Sequence, residues 1–373
     1  ATGNIGIPGG SSGSMNNRLP APRVGTLPVP ANPVSAAVPV VRWPDLILQG
    51  MAGAYPADIH AAYVVGSNFV NQGADVHKAI AAFERLDFAV CHDLFMTPTA
   101  RLCDVILPAA HSLEKSDIGI PWSGNFLTWK PRAVPPAGQC RTDYDIFSAL
   151  AARLGFGPAF TEGRSESDWL RHFLDGSAIT EIPAFKDAGI WFGPERERTG
   201  LADFIADPQR FPLATPSGRI EIASLDYQRD TGFPPIPVWQ ERPADQRFPL
   251  DLITPKSLFR THSQGSNIAA VQARAAHSLA MNPADAACRG IADGQSVRCW
   301  NERGALHVAV RLDNDLMPGV VCLPEGVWFE LDAHGEDRAG SANLLTATDG
   351  TRPARANIMH GVAVEVEVQR PAI

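Results

Sequence analysis

The chain has 373 residues, of which 45% are hydrophobic and 19% charged, and its formal net charge is -8. That length suggests two or three domains and supplies enough apolar material for a sizeable core, which excludes wholesale disorder. The acidic balance argues against a protein whose main task is gripping nucleic acid, and no apolar run approaches the roughly 18 residues of a membrane helix.

Residues 1–40 are rich in Gly, Pro, Ser and Asn, as in Gly9-Gly10-Ser11-Ser12-Gly13-Ser14, and read as irregular chain. Residues 61–65 are apolar and read as a buried strand, ended by Gly66-Ser67-Asn68. Val76, Ile80, Phe83 and Leu86 have helical spacing and predict a helix over 76–86. A second strand is expected at 88–91, ended by His92-Asp93, and a third at 104–107, stopped by Pro108. Residues 144–154 predict a helix with Asp143 as N-cap and Gly155 as C-cap. Strand, helix and strand with short connections predict a parallel α/β sheet. Further on, a short helix is expected at 168–173, and the turn Thr215-Pro216-Ser217-Gly218 precedes an expected strand at 219–222.

The pattern changes at Pro249. Residues 250–253, 296–300, 305–312, 320–323 and 362–368 read as short strands, with Asn301-Glu302-Arg303-Gly304 as a hairpin turn. The fold class expected is therefore α/β: a parallel-sheet domain over 41–245, with an irregular extension, followed by a mostly-β barrel-like domain over 246–373.

The six cysteines, Cys91, Cys103, Cys140, Cys288, Cys299 and Cys322, form no C-x-x-C pair and read as buried reduced thiols acting as small hydrophobes. The amino-terminal residues show neither a basic nor an apolar signal region, and the absence of an initiator Met suggests a processed product or a fragment. The ten histidines form no H-E-x-x-H, and neither G-x-S-x-G nor a phosphate-binding G-x-x-x-x-G-K-[ST] occurs. Glu114 and Asp117 flank Lys115 and read as a charged loop, not a catalytic pair.

Two places carry chemistry. Gly66-Ser67-Asn68 and His92-Asp93 end neighbouring strands, where open α/β sheets bind ligands and a carboxylate can accept from a ribose hydroxyl or a base edge. Plain turns and solvated loops fit the same residues. Arg260-Thr261-His262-Ser263-Gln264 gathers donors suited to an anionic or polar ligand, though a lone histidine is commonly structural.

Several stretches together resemble one family. TGNIGIPGGSSGS (2–14) is similar to a Gly-rich G-N-I-G-x-P-G-G segment, and VVGSNFVNQGADVHK (64–78) to a dinucleotide-binding turn. DLFMTPTARLCDVILPAAHSLEKSDIG (93–119) resembles T-x-T-A-x-x-A-D-[IV]-V-L-P followed by L-E-[RK]-x-D-I, and RTDYDIFSALAARLG (141–155) resembles a family helix. TPSGRIEIAS (215–224), LITPKSLFRTHSQGSN (252–267), NPADAACRGIADGQSVRCWNERG (282–304), PGVVCLPEGVW (318–328) and ANLLTATDG (342–350) complete the order. By these motifs the chain resembles the carboxyl-terminal half of molybdopterin oxidoreductases of the dimethyl sulfoxide reductase family. It is most similar to the dimethyl sulfoxide, trimethylamine N-oxide and biotin sulfoxide reductases. It departs from the pattern at Cys103, where the family usually has Ala, loosely over 120–131, and in the tail at 357–361.

The resemblance implies a molybdenum bis(molybdopterin guanine dinucleotide) cofactor and two-electron oxo transfer, with S-oxide or N-oxide reduction as the expected activity. It implies that Gly66, Ser67 and Asn68 meet one pyrophosphate, His92 and Asp93 its ribose or guanine, and Asp143 a guanine edge. Thr254, Lys256, Arg260, His262 and Ser263 would lie along the second dinucleotide, with Asn343 nearby. None of these is implied to be catalytic or to ligate the metal. The implied partners are an amino-terminal half or partner subunit carrying the metal ligand, a small-molecule substrate and an electron-transfer donor or acceptor, with no nucleic acid and no membrane span. A non-redox hydratase or transhydroxylase relative and a scaffold subunit without cofactor are the alternative readings.

Overall fold

The structure, a computed structural model, describes residues 3–10, 21–195, 197, 199–240, 245–274 and 277–369; Ser11–Ser14 of the Gly-rich run lie outside them. The chain forms two compact units, each discontinuous in sequence: Ala1–Pro33 with Pro108–Ser224, and Val34–Leu107 with Leu225–Ile373.

The second unit begins with helix α1 (Trp43–Gln49), whose first turn carries Pro44, a residue that costs nothing where no helical N–H bond is due. Strand β1 (Ala61–Val65) leads through the single turn α2 (Phe69–Gln72) to α3 (Val76–Glu84), then to β2 (Phe88–Asp93) and β3 (Val105–Pro108). These make the expected parallel three-stranded sheet in the order β1-β2-β3, with Ala61 beside Phe88 and Val65 beside His92. The helix read from the 76–86 spacing forms as α3: Asp75 caps it by accepting from the Lys78 N–H at 3.1 Å. Its apolar stripe puts Ala79 and Phe83 against Val70 and Ala89.

The first unit holds an antiparallel sheet of β4 (Asp117–Gly119), β5 (Phe126–Lys130) and β6 (Ile190–Phe192), with β5 in the middle. These strands have three to five residues, too short for alternation to stand out in the sequence. Helices α4 (Asp143–Arg153), α5 (Gly157–Thr161), α6 (Glu166–Leu174) and α7 (Ile182–Ala188) belong to this unit. Leu127, Leu170, Leu174 and Phe185 form its core. Two expectations are corrected here. The N-cap of α4 is Thr142, whose Oγ1 accepts from the Asp145 N–H at 3.2 Å; Asp143 is the first helical residue, and Gly155 follows the C-cap Leu154 at φ +86°. No strand forms at 219–222. Thr215 Oγ1 donates to the Arg219 carbonyl, Glu221 turns back to the Ser217 N–H, and Ile222 is 83% exposed, so local turn bonds use the groups a ladder would need.

The rest of the second unit confirms the barrel. Strands β7 (Leu250–Ile253), β8 (Ser278–Met281), β9 (Ser296–Trp300), β10 (Ala305–Leu312), β11 (Val320–Cys322) and β14 (Val362–Val368) close in the order β10-β8-β11-β7-β14-β9; β12 (Ala347–Gly350) and β13 (Asn357–Ile358) pair separately. Alternate residues point inward, so Leu250 and Leu252 of β7 meet Val364 and Val366 of β14 in one core. The hairpin at 301–304 forms, with Trp300 opposite Ala305. The sequence reading missed β8, whose four residues resemble any short apolar run.

Within this unit the α/β layer is bonded to the barrel segment. Buried Asp45 on α1 takes Lys78 Nζ at 3.0 Å and Thr348 Oγ1 at 3.4 Å. Among the described residues no helix is long and apolar enough to cross a membrane.

Candidate functional site

The site is built where β1 and β2 end. Gly66 leaves β1 at φ +59° and donates its N–H to the His92 carbonyl at 3.1 Å; a Cβ there would meet nothing within 4 Å, so the turn faces open space. Asn68 is buried, and its Oδ1 accepts from the N–H and Oγ1 of Thr99 at 3.3 and 3.0 Å. The Val70 N–H donates to the same Thr99 Oγ1, while Asn68 Nδ2 is buried without a partner. Because α2 is a single turn, its backbone supplies little charge for a phosphate, and cations must come from elsewhere.

They come from two loops. Arg260 is buried, its Nε has no partner, and one terminal nitrogen donates to His277 Nδ1 at 3.2 Å. The Gly340 carbonyl can only accept, so His277 carries its proton on Nε2, 2.8 Å away, and Nδ1 is free to accept from Arg260. Burial, and secondarily the neighbouring guanidinium, hold the His277 pKa below its ordinary value; burial likewise lowers that of Arg260. An enclosed cation with no carboxylate bonded to it is costly unless an anion arrives. Arg260 and His277 line a cavity of about 440 Å³ together with Arg101, Gln272, Trp328 and Glu330.

α2 ties the two places together. Gln72 Nε2 donates to Ser263 Oγ at 3.2 Å, and Trp328 Nε1 donates to the Ser263 carbonyl at 2.7 Å. Asn71, almost fully buried, donates to the Val327 carbonyl, accepts from the Phe329 N–H, and through its own carbonyl takes Asn343 Nδ2 at 2.9 Å. Gly326 is obligatory: at φ +98°, a Cβ would sit 1.9 Å from the His262 carbonyl oxygen.

Of the residues singled out in the sequence, Gly66, Ser67 and Asn68 form the turn that leads into α2, Ser263 and Asn343 are bonded to α2, and Arg260 stands on the cavity wall. His92 is fully buried at its edge, Nε2 on the Tyr63 hydroxyl at 2.7 Å. Asp93 accepts from the Leu94 and Phe95 N–H groups and from Thr97 Oγ1, which shapes the loop after β2. Lys256 pairs with Glu325 and donates to His262 Nδ1 at 3.0 Å, leaving the Nε2 of a neutral His262 as the outward donor. Thr254 is buried against His360 and the Met359 carbonyl. Asp143 lies in the other unit, 3.8 Å from Lys115 Nζ. The sequence reading missed Arg101, Asn71, Gln72, His277 and Trp328. Asn71, Gln72, Arg101 and Trp328 stand inside quoted motifs, which was signal enough to mark them; His277 had none.

Comparison with known proteins accords with this geometry. The molybdopterin oxidoreductase family model matches residues 1–153, and the molybdopterin dinucleotide-binding domain model matches residues 250–364. A dimethyl sulfoxide reductase of Escherichia coli is 31% identical over 98% of the chain and 50% of its own length. A dimethyl sulfoxide/trimethylamine N-oxide reductase of Cereibacter sphaeroides is 34% identical over 98% of the chain and 51% of its own length, and a biotin sulfoxide reductase of the same organism 34% over 94% and 52%. Acetylene hydratase from Pelobacter acetylenicus shares the fold at a TM-score of 0.69, with 21% identity, covering 87% of the chain and 46% of the hydratase. The chain belongs to the molybdopterin oxidoreductases. It spans about half the length of the curated relatives it matches. The residues present fit a molybdopterin cofactor: a buried guanidinium whose Nε has no partner, a second arginine on the same cavity, and an open glycine turn all suit an anionic dinucleotide.

Proposed function

We propose that this chain is the cofactor-holding carboxyl-terminal part of a molybdenum oxidoreductase that reduces an S-oxide or N-oxide by two-electron oxo transfer. The single observation that carries the reading is Arg260, buried on the cavity wall with an unpaired Nε and a neutral histidine behind it. When bound, the molybdenum centre supplies the oxo-transfer chemistry. The protein's part is to bind and orient. Arg260 and Arg101 neutralise pyrophosphate or pterin charge, and His277 holds the Arg260 guanidinium in place by accepting from it. Gly66 leaves room for a phosphate, with the Asn68 amide behind it. His262 presents its Nε2–H, and Asp93 and Asp143 accept from ribose or guanine donors.

In the finer form of this reading the cofactor is a pair of guanine dinucleotides. The gap in length against the relatives supports a further segment or subunit bearing the metal ligand, and the reaction needs an electron donor. The test is made on the full-length protein. Molybdenum and acid-released guanine nucleotide are measured per chain, then turnover of dimethyl sulfoxide, trimethylamine N-oxide and biotin sulfoxide with a reduced viologen dye. Two guanine nucleotides per molybdenum and dye oxidation by one of these substrates are expected. Absence of both molybdenum and guanine would leave a scaffold subunit, and cofactor without any oxide reduction would point to the non-redox relatives.

A further inference from the structure

His277 shares the cavity wall with Arg260 and is held at both ring nitrogens. Its Nε2 lies 2.8 Å from the Gly340 carbonyl, which fixes a proton there, and its Nδ1 lies 3.2 Å from a terminal nitrogen of Arg260. In this arrangement Nδ1 is an acceptor, and one Arg260 N–H is directed at it. Nε of the same guanidinium, in a residue 8% exposed, is buried without a partner.

An oxyanion beside Arg260 changes this. Its oxygens are better acceptors for a guanidinium N–H than a neutral imidazole nitrogen, because charge-assisted bonds are roughly twice as strong as neutral ones. An Nδ1 relieved of its donor is free to take a proton. The doubly protonated ring keeps its bond to Gly340 and turns a second donor toward the anion. Burial, and after it the Arg260 guanidinium, hold the His277 pKa below the ordinary 6.5, and an anion offsets the second of these. The other charged groups around the ring are engaged elsewhere or share the wall. Arg101, in the 3-10 turn Ala100–Leu102, and Glu330, after β11, line the same cavity. On the loop that carries Gly340, Asp337 accepts from the N–H groups of Glu330, Ala339 and Ser341, and Arg338 pairs with Asp332. Among the described residues, the bonds to the imidazole come from Arg260 and Gly340.

We infer that His277 binds the anion alongside Arg260, and that anion binding in this cavity takes up a proton. The Arg260 N–H leaves Nδ1 for an anion oxygen, a proton from the solvent joins Nδ1, and the new N–H donates to the anion. The complex then holds that proton more firmly than the free protein does. By linkage, affinity must rise as pH falls toward the range in which the imidazole titrates, and the anion must in turn draw the proton in. The inference rests on the reading of this cavity as an anion site and holds whether or not the proposed oxo transfer does.

The full-length protein, produced in cells that cannot make molybdopterin, is titrated with sulfate in a calorimeter at constant ionic strength. Sulfate keeps its charge from pH 7.5 to 5.5, so a change in affinity belongs to the protein. Binding should tighten about fivefold or more over that range, the lower end of ordinary linkage couplings. Heats measured in two buffers of unlike protonation enthalpy should show net proton uptake by the wild type. His277→Gln keeps a donor for Gly340 but cannot take the proton, and should show neither pH dependence nor uptake; Glu330→Gln should show both. Wild-type binding without pH dependence or proton uptake would overturn the inference alone, as would uptake that survives in His277→Gln or vanishes in Glu330→Gln. No sulfate binding to the wild type at any pH would overturn it together with the anion reading beneath it.

Discussion

Arg260 and His277 show how much one pair of side chains contributes. Replacing Arg260 by Met removes the buried charge while keeping most of its apolar stem. The apo protein should be as stable as wild type or more so, since no bonded carboxylate repays the desolvation of that cation. Affinity for the cofactor should fall by about 2 kcal/mol, roughly thirtyfold, from the loss of charge-assisted bonds; thermal melts and molybdenum content per chain separate the two effects. His277 sets a pH dependence. Its folded pKa lies below the ordinary 6.5, so the unfolded chain takes up its proton first as the medium is acidified. The stability it contributes is complete at neutral pH and drains away as pH falls through 6.5 toward the lower folded value. Melting temperatures from pH 7.5 to 5 should therefore decline, and His277→Gln, which keeps an amide to donate to Gly340, should flatten that slope. An unchanged slope in the variant would show that other groups control it.

At the scale of elements, α2 matters more than its four residues suggest. It begins at the Gly66 turn and carries both side chains that reach the barrel-side loops. Asn71→Ala would strand the Val327 carbonyl and the Phe329 N–H in a nearly buried position, at a cost of about 2–3 kcal/mol measurable by urea unfolding. Gly66→Ala should behave differently. Its Cβ meets no protein atom, so the stability cost is that of a left-handed alanine, about 1 kcal/mol. Cofactor occupancy should drop far more than stability if a phosphate approaches the turn, because the methyl group fills the space the phosphate needs. Equal, small effects on both would place the phosphate elsewhere.

Across the molecule, several large apolar side chains among the described residues are exposed. Leu258 is 94% exposed and Phe259 50%, immediately before Arg260, while Trp122 and Trp239 are 83% and 89% exposed. The sheet leaves Tyr63, Val65 and Phe88 all more than a third exposed, although parallel sheets are normally covered on both faces. Expressed alone, the chain should self-associate and bind a hydrophobic dye. Light scattering that reports a monodisperse monomer without dye binding would refute this.

Local patterns carried the elements. Apolar runs ended by Gly66 or Pro108, helical spacing over 76–86, and short strands after Pro249 each describe a segment's own need to bury one face, and β1, α3, β2, β3 and most barrel strands form there. Ordered motifs carried the family, and they directed attention to Gly66, Asn68, Arg260 and Ser263. Where a segment's bonds are decided by distant partners, the sequence had no purchase. The 219–222 run alternates like a strand, yet it finds no neighbour to pair with. β8 is three apolar residues after a serine, and they become a strand because β10 and β11 lie on either side. His277 is an ordinary histidine until the Gly340 carbonyl accepts from its Nε2–H and burial disfavours its charged form. Asn71 gains its role from Val327, Phe329 and Asn343, more than 250 residues away in sequence. The sequence by itself determined periodicity, turn chemistry and motif order, because these depend on neighbours along the chain. Which buried polar groups find partners, and which cation is left waiting for an anion, was decided only when the chain closed on itself.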